Sequence, residues 1–262
     1  MSAVELLRPG DLAAALASVK QEVRGKPADA GLRTFLFQLF CVNGEWERAL
    51  AQLSAAGSLD AGAIPMAQTY RALIQCEVLR ELVFAGERVP TFMGDPAPWM
   101  SLQIEALRCL AAGATGKAAD LRDEAFEAAP ASAGQLNDTP FEWVADADPR
   151  LGPVLEAVVD GRYFWVPYSR LREISLEPPA DLRDQVWMPA HFVWQNGGDS
   201  VGFIPARYPG SAAGEAAIAL GRRTEWRDDP LWPTGQGQRM LATDAGETAL
   251  LDLRRLAIIE PA

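Results

Sequence analysis

Through the first half of the chain apolar residues recur at three- and four-residue spacing, interrupted at Pro27, Gly44, 57–60, 90–98 and 113–116. That rhythm gathers apolar side chains onto one face of a helix, so it predicts helices over 11–24, 30–43, 45–55, 63–85, 98–112 and 116–129. Ala15-Leu16 and Ala49-Leu50 lie 34 residues apart, and Gly44-x-Trp46-x-x-Ala49-Leu50 is a helix start followed by a small-large packing pair. A second echo sets 10–27 against 113–130, with Ala15 and Ala118 at the same offset. A period of 34 is that of tetratricopeptide (TPR) repeats, whose helix pairs stack into a curved array with a concave binding side. A plain helical bundle is the other arrangement these helices allow.

Near residue 140 the rhythm changes. Asp148-Pro149 is a helix start, with Asp able to cap free amides and Pro suited to the first turn, and predicts a helix to Val159. Runs rich in aromatic and β-branched residues follow at 162–166, 171–176, 186–194 and 200–204, the last two joined by the hairpin turn Asn196-Gly197-Gly198. Two more strands are expected at 239–243 and 248–259, flanking Asp244-Ala245-Gly246, though the second can also be read as helix. The expected fold is α+β: an all-helical, TPR-like array over 1–139, then a mainly antiparallel β domain, mixed with some helix, over 140–262.

Composition narrows the function. The chain has 262 residues, 35 acidic against 24 basic side chains, and a net charge of -11. So acidic a surface disfavours nucleic acid, whose affinity comes mostly from Lys and Arg neutralising phosphates. The longest stretch without Asp, Glu, Lys or Arg, 185–198, is too short and too polar to cross a bilayer. The first residues lack a basic flank and apolar core, so no secretion signal is expected and the protein is placed in the cytoplasm. Cys41, Cys76 and Cys109 stand far apart and read as buried thiols rather than a metal site.

Candidate chemistry is sparse. His191 is the only histidine, sits in an apolar strand and reads as a packed side chain. Asp146, Asp148, Asp181 and Asp184 could hold a cation or supply paired carboxylates, but their spacing fits no calcium loop. Capping and Arg-carboxylate bridges are their simpler use. Gly197-Gly198 and Gly235-x-Gly237 lack what a phosphate-cradling loop requires. Six of the eight tryptophans, Trp143, Trp165, Trp187, Trp194, Trp226 and Trp232, fall after residue 140. Most are expected in the core, with one or two lining a groove.

Ordered strings across nearly the whole chain are more specific than any of these. They include Leu32-Arg33-x-Phe35-Leu36-Phe37-Gln38-Leu39, Gly44-x-Trp46-x-Arg48-Ala49-Leu50, Pro140-Phe141-x-Trp143 and Asp146-x-Asp148-x-Arg150-Leu151-Gly152-Pro153. Gly161-Arg162-Tyr163-x-Trp165-Val166-Pro167, Asp181-Leu182-Arg183-Asp184, Pro205-x-Arg207-Tyr208-Pro209-Gly210 and Thr224-Glu225-Trp226 continue the series. In these the chain resembles the ImpE family, accessory proteins of type VI secretion systems. The resemblance implies a non-enzymatic, virulence-associated cytoplasmic adaptor with no cofactor and no metal. Its implied partner is the N-terminal helix of the TssB-type contractile-sheath subunit, with an indirect link to the ClpV-type ATPase. The family does not fix the contact residues. From the residues themselves, Phe37, Phe40 and Trp46 on the helical array and Tyr163, Trp165 and Tyr168 in the strands are candidates, each better read as core than as interface. The rival readings are a TPR-like scaffold for another client and an enzyme using the four aspartates.

Overall fold

A computed structural model describes residues 2–259. Seven helices come first: α1 (Ala3–Leu7), α2 (Leu12–Gly25), α3 (Ala30–Val42), α4 (Trp46–Leu59), α5 (Ile64–Phe84), α6 (Pro98–Ala111) and α7 (Thr115–Ala128), with the short strand β1 (Thr91–Phe92) between α5 and α6. Their starts follow from local chemistry. Ser2 and Glu5 cap each other's backbone amides at α1, and Asp11 and Asp29 accept from the amides of Ala14 and Leu32 at α2 and α3. Helices adjacent in sequence pack against one another from α1 to α5, and α6 with α7 forms a separate hairpin. Ala15, Ala49 and Ala118, the small members of the expected packing pairs, are fully buried. α4 runs through Gly57, where a break was expected.

The remaining strands are β2 (Gly134–Leu136), β3 (Thr139–Phe141), β4 (Val144–Asp146), β5 (Val154–Val159), β6 (Arg162–Pro167), β7 (Leu171–Ser175), β8 (Trp187–Trp194), β9 (Asp199–Pro205), β10 (Thr224–Trp226), β11 (Gly235–Gly237), β12 (Met240–Thr243), β13 (Gly246–Ala249) and β14 (Arg255–Ile258), with a short α8 (Ala216–Ala219). Nine of the strands form one sheet in the order β1-β6-β5-β9-β8-β7-β14-β2-β3, antiparallel except where β1 joins β6 in parallel. Strand β12 lies between β13 and β4 in a second sheet, and β10 pairs with β11.

Two sequence expectations are corrected here. The helix expected from Asp148 to Val159 is a turn followed by β5. Asp148 folds the chain back, its carbonyl accepting from Leu151 and Gly152, and Gly152 adopts φ +50 against the Phe126 ring, where a Cβ would lie 2.0 Å from a ring carbon. A helix cannot continue through that turn, and the Val-rich run beyond it is buried on both faces, as a central strand requires. The strand expected over 248–259 is split by a 3₁₀ turn at Leu250–Asp252.

Side-chain alternation sends the two faces of the large sheet to different cores. Val154, Val158, Tyr163, Trp165, Trp187 and Phe203 join α2–α6 in one continuous cluster. Leu155, Val166, Tyr168, Met188, Phe192 and Ile204 face the other way, onto Leu241 and the 250–253 turn. Helical and strand-rich parts thus share one core, and β1 extends the helical part into the sheet.

Candidate functional site

Glu156 lies on the helix-facing side of β5, fully buried among Val154 and Val158. A carboxylate there must be paired or neutral. It accepts a bidentate pair from Arg80 of α5, Nε to Oε1 at 2.7 Å and Nη2 to Oε2 at 2.8 Å, and further bonds from Tyr163 Oη and Arg239 Nη2. Arg239 reaches on to Asp146 at 3.1 Å, while Glu77 of α5 sits 3.4 Å from Arg80 and accepts from the Trp187 indole at 2.9 Å. These contacts form a charged seam between the helical layer and the sheet.

The seam sets two opposite pH responses. Burial alone would raise the pKa of Glu156, but Arg80 and Arg239 overcome it and hold the carboxyl down at about 2. Its contribution to stability is therefore present above the ordinary glutamate pKa and lost as pH falls toward 2. Burial pushes Asp146 up to about 7, helped by the like charge of Asp148 and opposed by Arg239. A raised acid contributes fully below its unfolded pKa, and that contribution is lost as pH rises through 7. Asp146→Asn is accordingly expected to gain stability relative to the parent, on the order of 2 kcal/mol, between pH 5 and pH 8. Urea titrations of both proteins at the two pH values measure this, and a pH-independent difference would contradict it.

Arg207, also buried, clamps the helical and strand-rich parts together. Its guanidinium donates to the carbonyls of Val42 at 2.8 Å and Cys41 at 3.3 Å at the end of α3, and to Ala219 at the end of α8. Helix C-termini leave such carbonyls unpaired and carry partial negative charge, which suits a cation. Close by, Gly44 adopts φ +68 so tightly against Ala212 that a Cβ would come within 2.9 Å. Two hollows of about 290 and 410 Å³ flank this contact and share Asn43 and Ala212, making a groove from Trp46 and Glu81 to the α2 face at Ala13 and Ala17.

The four aspartates serve local structure. Asp148 pairs with Arg150 and accepts from the Gly235 amide at 2.8 Å, and Asp146 accepts from Tyr208 Oη at 3.0 Å. Asp181 pairs with Arg183, and Asp184 accepts from the amides of Ala180 and Asp181 at 2.7 and 3.0 Å. Among the described residues no three or more His, Cys, Asp or Glu side chains form a group that could hold a metal ion. The three cysteines are buried, and burial raises the thiols of Cys41 and Cys76, the latter to about 11. His191 is half-buried rather than packed inside, its Nε2 3.1 Å from an Asp199 oxygen. Among the described residues no helix is long and apolar enough to cross a membrane.

Of the six aromatic candidates, Phe37, Phe40, Tyr163, Trp165 and Tyr168 are buried and present no surface for a partner. Their alternation along helix and strand put them inward, and Tyr163 and Trp165 also extend the seam, the Trp165 indole donating to Tyr163 Oη at 2.7 Å. Trp46 alone stays half-exposed, its indole donating to Glu81 at 3.0 Å. Among the later tryptophans, Trp165, Trp187 and Trp232 are buried, Trp194 is half-buried, and Trp143 and Trp226 are exposed. The sequence reading missed Glu77, Arg80, Glu156 and Arg239; the one available signal was an acid, Glu156, within an otherwise apolar run.

Comparison with known proteins agrees with this architecture. The chain is 52% identical over 257 residues to the type VI secretion system accessory component TagJ of Pseudomonas aeruginosa, covering 98% of this chain and 90% of that one. It superposes on the crystal structure of a Vibrio parahaemolyticus protein with a TM-score of 0.90 at 25% identity, over 99% of this chain and 98% of the other. Residues 138–257, which carry β3 to β13 and most of β14, match the ImpE protein family. On this identity, extending over the helical layer, the seam and the sheet alike, the chain belongs to the ImpE family.

Proposed function

We propose that this chain is a non-enzymatic, cytoplasmic adaptor of a type VI secretion system that recognises the N-terminal helix of a TssB-type sheath subunit and so assists sheath handling with the ClpV-type ATPase. The observation that carries the reading is the 52% identity, across nearly both full lengths, with a type VI secretion system accessory component. A role in recognition is further supported by the four aspartates, each engaged by an arginine, a hydroxyl or backbone amides. Helix capture has a plain physical form, an amphipathic segment laying its apolar face into a groove and anchoring at three- and four-residue spacing.

The test is calorimetric titration of the full chain with a peptide from the N-terminal helix of a TssB-type sheath subunit from the same organism, against a scrambled peptide. Micromolar or tighter sequence-specific binding is expected, weakening only modestly with salt because apolar anchors carry most of the affinity. Failure of both peptides with a folded protein would overturn helix capture.

A further inference from the structure

One groove lies away from the seam, on the helix-facing side of the large sheet, and its origin is legible in the chain. β7 runs beside β8 from Leu171 opposite Trp194 to Ser175 opposite His191, and stops there. Toward its start β8 carries Pro189, which has no N–H for a ladder, and beyond Ser175 the chain keeps only its β14 neighbour, the Leu176 amide donating to the Arg254 carbonyl at 2.9 Å. Pro178 and Ala180 then face the β8 residues Pro189 and His191 across the gap. The gap is a groove of about 430 Å³ over β8 and β9, with Pro178, Pro189, His191, Val201 and Phe203 among its walls.

The chain's own helices cover this sheet face only in part. Phe203 marks the limit, its ring 6.0 Å from Tyr70 of α5. Beyond it Pro189 is exposed and Val201 is 75% exposed, more than any other large apolar side chain among the described residues. The groove is lined by the acids Glu177 and Asp184 and by no Lys or Arg. Asp184 is committed to two backbone amides, whereas Glu177 is exposed and in no ion pair among the described residues. Asp199, beside His191, adds a second exposed carboxylate. The groove beside Trp46 differs in that Glu77, Arg80 and Arg207 on its walls already satisfy one another or nearby carbonyls.

We infer that the groove between Pro178 and Val201 is the docking surface for the sheath helix, which lies on the sheet beside α5 as one more member of the helical layer. This assignment rests on the helix-capture reading above and adds the partner's chemistry. The bound face is apolar, covering Val201 and Pro189, and it is flanked by Lys or Arg facing Glu177 and Asp199. Apolar anchors supply the affinity, and the acidic rim of a chain with net charge -11 orients a cationic segment.

Three exposed positions test it in the full chain by calorimetric titration with the sheath peptide, each variant first shown by its thermal melt to fold as the parent does. Val201→Arg, which buries a charge under the helix and repels its basic flank, is expected to weaken binding by about tenfold or more. Glu177→Lys is expected to weaken it several-fold, and that loss should disappear with a peptide whose Lys and Arg are replaced by Gln. Ala17→Arg, on the α2 wall of the other groove, should leave affinity unchanged. Unaltered binding by Val201→Arg would overturn the assignment. If Ala17→Arg then abolished binding, the helix would be placed beside α2 and the adaptor reading would stand. If the parent bound no sheath peptide, that reading would fall and the assignment with it.

Discussion

Glu156→Gln is expected to cost about 3–5 kcal/mol of folding stability, the magnitude seen when one partner of a buried ion pair is removed. Among the described residues, Glu156 is the only carboxylate that both Arg80 and Arg239 touch. With an amide in its place, the carboxylate partner left among the described residues is Glu77, at 3.4 Å, for Arg80 and Asp146 for Arg239, while Arg80 also keeps the Arg207 carbonyl at 2.8 Å. Two buried guanidiniums then share fewer acceptors. Since whole domains are stable by only about 5–15 kcal/mol, the variant should unfold far earlier in urea than the parent. Removing Arg80 as well, in Glu156→Gln with Arg80→Met, should cost less than the sum of the two single changes, because the double variant strands fewer charges. A double variant as unstable as the sum would show that the seam's charges act independently.

Arg207→Met should cost about 3 kcal/mol and act locally before it acts globally. Its guanidinium satisfies carbonyls at the ends of α3 and α8, and each buried acceptor left without a donor costs about 1–3 kcal/mol. Part of that is offset because burial already disfavours the Arg207 cation, lowering its pKa to about 10. Hydrogen exchange should report the effect first at the end of α3 and in the 43–45 turn, where Gly44 packs against the Ala212 side chain. Protection unchanged in that turn, with stability lost elsewhere, would contradict the role of clamp.

The helices were legible because their stripes are local. Leu12, Ala15, Leu16, Val19 and Val23 recur at helical spacing behind a capping Asp11, and all five are buried. The hairpin of β8 and β9 was legible from Asn196-Gly197 between two β-branched and aromatic runs. Strands β2, β3 and β4 have three residues each, too few to show a period, and are fixed by distant partners such as β14 and β12. Asp148-Pro149 is a sound helix start in isolation, yet the Gly152 turn against Phe126 decides otherwise, and Phe126 belongs to α7. The seam was invisible for the same reason. Arg80, Glu156 and Arg239 stand more than 70 residues apart and no spacing rule joins them. The buried aromatics illustrate the converse difficulty, since a stripe that makes a core and one that makes an interface are written in the same residues.

The pairing of β2 with β14 also constrains how the protein can be made. Leu136 meets Leu256, which leaves the ribosome 120 residues later, or about 6–24 s at ordinary rates of elongation. β1 likewise waits for β6. During that interval the helical layer has been synthesised but lacks the sheet that covers Phe37, Tyr70 and Trp99, so the nascent chain carries an uncovered apolar face. Chaperone dependence should therefore be greatest for chains interrupted just after α7, and least once β14 has emerged.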